Sequence, residues 1–199
     1  MIAQDANESR DDSVRAEEAV GAWPLALRII HWLSAAVIVG LLSLGLYMRH
    51  ADIDAGEAFD LYQLHKSFGF IALALILLRV IARVQTRRPP FPETMSRREV
   101  VAARLTHAAF YALLLALPLI GWVMVSAAPL PVPTRFFDLV EIPALTAPSE
   151  SVYGIARRAH RLAAWALGAL LLLHAAAAMK HHWLDRDSTL RRMWFTRRG

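Results

Sequence analysis

The residues of this chain that could do metal or redox chemistry are its histidines. There are eight, and no cysteine. The lack of cysteine excludes disulfides, thiolate-held iron–sulfur clusters, cysteine zinc sites and the C-x-x-C-H attachment of covalent haem. His160 and His174 stand fourteen residues apart within one apolar stretch, Ala156–Trp183. At about 100° and 1.5 Å per residue, that spacing is nearly four helical turns and roughly 21 Å. Both imidazoles therefore lie on almost one face, near opposite ends of a helix. An ionisable side chain inside a membrane span is costly and marks a functional site. Each histidine needs a partner from another element at its own depth.

The elements that must supply those partners are four long apolar stretches, at about 23–48, 61–84, 105–127 and 156–183. Each is near the ~20 residues that a bilayer span requires. With 56% hydrophobic residues and a mean hydropathy of +0.37, the composition is that of a membrane protein. The expected fold is all-α: an integral membrane four-helix bundle, up-down-up-down, spanning residues 23–185. Pro118 should kink or loosen the third helix. Residues 1–22 carry six acids and two arginines and read as a disordered acidic tail, not a signal peptide. Residues 186–199 form a basic tail. The turn-rich segment before the fourth helix predicts a short surface helix around Phe136–Val140.

Loop charges set the expected orientation. Arg83, Arg87, Arg88, Arg97, Arg98 and Arg104 flank the second connection, and Lys180, Arg186, Arg191, Arg192, Arg197 and Arg198 mark the C-terminus. The other two loops are acidic, with Asp52, Asp54, Glu57 and Asp60 in one and Asp138, Glu141 and Glu150 in the other. Both termini are thus expected in the cytoplasm. The net charge of +5 follows topology and forms no nucleic-acid patch.

Depth then pairs the histidines. His31 lies about 12 Å into the first stretch and His174 about 13 Å before the end of the fourth, on the cytoplasmic side. His65 and His160 each lie four residues into stretches that start outside. This predicts an inner pair, His31–His174, and an outer pair, His65–His160. Two imidazoles from facing helices suit bis-histidine haem iron, whereas zinc wants three or four ligands at one level. Gly69 and Gly168 recur on the histidine stripes and give a flat group clearance, although small residues also pack membrane helices closely. Lys66, Arg157, Arg158 and Arg161 surround the outer pair. They suit haem propionates, a funnel for a small anion, or lipid phosphates. Arg79, with Arg28 and Arg83, could serve the inner haem in the same way. His107, about 3 Å deep by this count, is too shallow to share a level with His31. His181, two turns beyond His174, and Lys180 join His107 as candidates for quinone contact and proton relay. His182 points about 80° away from His181, and His50 receives no role.

These residues resemble the bacterial cytochrome b561 family of four-helix di-haem membrane cytochromes. The carrying segments are LHAAAAMKHHWLDRDSTLRRM at 173–193, RIIHWL at 28–33, LHKSFGF at 64–70, RLTHAAFYALLLALPLIGWVM at 104–124 and RRAHRLAAWALG at 157–168. Within the family the chain is most similar to the superoxide oxidase branch. The resemblance implies two non-covalent haem b groups held by His31, His65, His160 and His174. It also implies an outer-face donor, superoxide or a protein, and ubiquinone as acceptor in the respiratory chain of the bacterial inner membrane. Departures are the acidic N-terminus and the composition of the third loop. Two other readings remain: a cytochrome b subunit anchoring a periplasmic dehydrogenase or hydrogenase, and a four-helix transporter or scaffold with structural histidines.

Overall fold

A computed structural model describes residues 21–87, 89–92, 95–130 and 132–195. The acidic tail lies outside the described residues from 1 to 20, and the basic tail from 196 to 199. Four helices dominate: α1, Leu25–His50; α2, Ala55–Val84; α3, Arg97–Ser126; and α4, Glu150–Trp183. Each has an apolar window long enough to cross a membrane. Three of them begin earlier than their apolar stretches do, because polar caps beyond those stretches close the first turn. Asp54 accepts from the amides of Gly56 and Glu57, and Ser149 accepts from that of Val152. Ser96 and Glu99 form a reciprocal capping box at α3. Caps of this kind satisfy donors that a helix start leaves open. Pro118 sits within α3 without ending it.

The interior is small. Among the described residues the buried apolar side chains are Leu27, Ala72, Ile76, Leu117, Ala127, Ala156 and Leu167. Large apolar side chains such as Leu33, Leu78, Leu105 and Leu172 point outward. Lipid, not water, is the solvent that suits such a surface. Helix α1 packs on α2, α2 on α3, and α3 on α4. Neither α1 nor α2 packs closely along α4.

Between α3 and α4 the expected short helix is replaced by a β-hairpin. Strands β1, Thr134–Phe136, and β2, Val140–Ile142, pair antiparallel with Arg135 opposite Glu141. The turn between them passes through positive φ at Phe137 and Asp138. Asp tolerates that region, while for Phe it is unusual. The docking on α2 explains why the chain accepts it. The buried Gln63 donates to the Pro133 carbonyl (2.8 Å) and accepts from the Arg135 amide (3.2 Å). The buried Ser67 hydroxyl lies 3.2 Å from the Arg135 carbonyl and accepts from the Phe137 amide at 3.0 Å. One turn of α2 thus satisfies the backbone of β1, which a helix over 136–140 would have had to satisfy internally.

At the opposite end of the bundle, the chain leaves α4, turns at Arg186 (φ 53°), and passes through a 3₁₀ turn over Arg191–Met193. This segment lies against the start of α1.

Candidate functional site

The helices bring the histidines together in two places. Near the chain termini, the ring centres of His31 on α1 and His174 on α4 are 6.3 Å apart, with planes inclined by 76°. Near the hairpin, His65 on α2 and His160 on α4 are 6.4 Å apart and inclined by 70°. Both pairs reach across the helix pairs that do not pack closely. An imidazole nitrogen binds a first-row metal at about 2.0–2.1 Å, and the ring centre lies roughly 1.1 Å behind it, so two ligands on opposite sides of one ion have centres roughly 6.3 Å apart.

Other features suit a bound group at these places. The Nδ1 atoms of His31, His65 and His160 are buried without a hydrogen-bond partner, as is Nε of Arg28. Buried polar atoms are ordinarily satisfied, so orphans ask for an explanation. A Cβ added at Gly69 or Gly168 would meet nothing within 4 Å, so both glycines border open space. Two glycines that the sequence reading passed over touch the hairpin pair directly. A Cβ at Gly121 would come within 3.2 Å of His160 Cε1, and one at Gly45 within 3.7 Å of His65 Cε1. Only the pairing of helices reveals that α1 and α3 back these two rings, so neither glycine stood out in the sequence.

His107 differs from its expected place. Its ring centre is 5.9 Å from that of His174, and Phe110 packs on the same imidazole at 5.2 Å. The sequence reading set His107 too shallow to share a level with His31, but α3 packs along α4 and brings its ring to His174. Arg79 lies over Tyr111, 6.0 Å from the ring centre, within electrostatic reach of His31 and His174. Arg28 donates through Nη1 to the Trp194 carbonyl at 2.8 Å. Arg83 instead lies over Trp23, at 5.1 Å.

The cations near the hairpin pair do not form a closed ring. Lys66 reaches the Pro133 carbonyl at 3.4 Å. Arg157 lies over Tyr153 at 5.9 Å, and Arg157, Arg158 and Arg161 are exposed. Arg157 and Arg158 line a shallow cavity of about 440 Å³ with Glu150 and Tyr153.

His181 and Lys180 belong to a polar network at the terminal end. The buried His181 has Nδ1 2.7 Å from Asp187 Oδ2 and 3.0 Å from Asp185 Oδ2. Lys180 pairs with Glu99 and Asp185, each at 2.7 Å. Glu99, His181 and Asp185 are near enough to share a metal ion, but the Lys180 ammonium already meets both carboxylates. Burial works against the Asp187 charge. The Thr189 amide, at 2.8 Å, and His181 outweigh it and hold the carboxyl below its ordinary range. The sequence reading gave Asp187 no role within the basic tail, since nothing in its neighbourhood foretold the chain reversal that buries it.

Comparison with known proteins gives a consistent result. The model of a family described as prokaryotic cytochrome b561 matches residues 22–196. "Cytochrome b561 homolog 2" of Escherichia coli (strain K12) is 34% identical over 164 residues, covering 82% of this chain and 86% of the relative. "Probable superoxide oxidase CybB" of Yersinia pestis is 28% identical over 146 residues, covering 68% and 76%.

Proposed function

This chain belongs to the prokaryotic cytochrome b561 family, and we propose that it passes electrons across the membrane from superoxide to ubiquinone through two haem b groups. Family membership makes it a haem-b-binding, multi-pass electron-transfer protein of the bacterial inner membrane. Superoxide as donor, ubiquinone as acceptor and two haems as the path are our reading. The single observation that carries it is the pair of histidine–histidine contacts at 6.3 and 6.4 Å, each across helices that otherwise stay apart.

In this reading His31 and His174 hold one haem, and His65 and His160 the other. When bound, these groups supply one-electron redox chemistry. The chain fixes the four rings from three helices, admits the flat groups beside Gly69 and Gly168, and surrounds them with apolar side chains. Burial and nearby charge set potential, so Arg79 and Arg28 favour the electron on the terminal side. Lys66, Arg157, Arg158 and Arg161 raise the encounter rate of an anionic donor at the hairpin side. We place the hairpin side outside and both termini in the cytoplasm, because the arginines collect at the terminal end.

The overall reaction balances as two superoxide anions giving two electrons and leaving as oxygen, while one ubiquinone takes two electrons and two protons. His181, His107 and Lys180 stand at the terminal side as candidate quinone contacts. His181 connects through Asp185 to exposed Lys180, a route by which protons could reach it. The relative named as a probable superoxide oxidase supports the choice of donor.

The test is purification without partners. A reduced spectrum of b type and superoxide-dependent reduction of ubiquinone-1 are expected. A haem-bearing protein inert toward superoxide unless a second subunit co-purifies would overturn the donor assignment in favour of a membrane anchor.

A further inference from the structure

We propose that the segment Asp185–Phe195 is a strap that ties α4 to α1 and fixes the His31 ring from behind, with Trp32 as the positioning residue. The proposal rests on the assignment of His31 and His174 to one haem.

The strap is anchored on α4 first. The Asp187 amide donates to the His181 carbonyl at 3.1 Å. The Asp187 carboxylate holds the His181 ring with one oxygen and the Thr189 amide with the other. Asp187 is buried although it lies beyond the helix, so this is a built joint. The strap then crosses to α1, where three consecutive carbonyls find donors. Arg192 accepts from the Trp23 amide at 3.2 Å. Met193 accepts from Trp32 Nε1 at 2.9 Å, and Trp194 accepts from Arg28 Nη1 at 2.8 Å. Arg28 and Trp32 are four residues apart, hence neighbours on one helix face. Arg192 also donates to the Pro90 carbonyl, which ties the strap to the connection between α2 and α3.

The consequence for the site runs through Trp32. Its ring centre is 5.3 Å from that of Trp194 on one side and 5.3 Å from that of His31 on the other. Both are edge-to-face contacts of the favoured kind. His31 is therefore backed by an indole whose own place is set by a hydrogen bond to the strap. Since α1 and α4 do not pack closely, this strap is a direct protein link between the two helices that present the terminal histidine pair. Its Trp194 ring covers the side of Trp32 away from His31. Releasing the strap should admit water, which stabilises the more charged oxidised state of a bis-histidine haem.

The experiment compares the full-length protein with Trp32→Phe, Asp187→Ala and the double variant. Trp32→Phe keeps a ring beside His31 but removes the donor to Met193. Each change should lower the midpoint potential of one haem and alter its low-spin EPR signal, leaving the other haem unchanged. The double variant should shift little beyond the larger single effect, because both changes release the same strap. Should Asp187→Ala fail to accumulate, termination after Leu184 replaces it. Unchanged potentials and EPR signals in Trp32→Phe and in the strap variant would overturn the proposal. So would equal shifts in both haems, or independent additive shifts. A wild-type protein with no haem, or one that keeps both haems when His31 is replaced by Ala, would instead break the assignment beneath it.

Discussion

His65 and His160 place the proposed haem nearer the hairpin on two residues whose loss should be selective. Replacing either by Ala should remove one haem per chain and leave the other, read as a halved haem-to-protein ratio. The two glycines behind these rings should differ from each other. Gly121→Ala drives a methyl group to 3.2 Å from His160 Cε1, closer than side chains normally approach, whereas Gly45→Ala meets His65 at an ordinary 3.7 Å. The first should shift or weaken the reduced band of the hairpin-side haem, and the second should leave it unchanged. Equal effects would show that ring clearance does not govern this site. The four histidines were legible in the sequence because helical period and depth are both arithmetic in residue number. Gly121 and Gly45 were not, since the face they present depends on which helices pack together.

At the scale of elements, four helices follow from four apolar stretches, but their true starts depend on caps. Ser96, Asp54 and Ser149 lie outside those stretches, so three helices run on beyond the apolar windows. The hairpin was missed for a related reason. Its backbone is satisfied by Gln63 and Ser67, about seventy residues away in sequence, which no local pattern reports. Gln63→Ala or Ser67→Ala should each loosen β1 by about 1–3 kcal/mol, the cost of leaving buried groups unpaired. Hydrogen exchange at the Arg135 and Phe137 amides measures this, and the double variant should fall short of additivity. The strap should respond to acid. Asp187 titrates below the ordinary carboxylate range, so its contribution is fully present above the unfolded value of about 3.9 and is lost as pH falls below it. His181, Asp185, Lys180 and Glu99 face the same network. Strap release below about pH 4, followed by exchange at the Trp23 amide and abolished in Asp187→Ala, is the expected result. Release at the same pH in that variant would show that Asp187 does not drive the transition.

For the whole molecule, polarity in the membrane and the path of the electron are one claim. A chain without cysteine is suited to single-cysteine labelling. In spheroplasts, an impermeant maleimide should label Ser151→Cys and spare Arg87→Cys until the membrane is opened. The reverse pattern would put the hairpin-side cations in the cytoplasm and remove the argument for an external anionic donor. The bundle was readable early because lipid imposes long apolar helices, and the sorting of arginines by side carries the proposed orientation. The reversal of the chain after α4 was not, because it is held by single hydrogen bonds between distant segments. The central claim, two histidine pairs each holding a haem, is tested most directly by one redox-titrated absorption spectrum with haem counted per chain. The account predicts two b-type haems with separate midpoint potentials. One haem per chain, or a colourless protein, would contradict it.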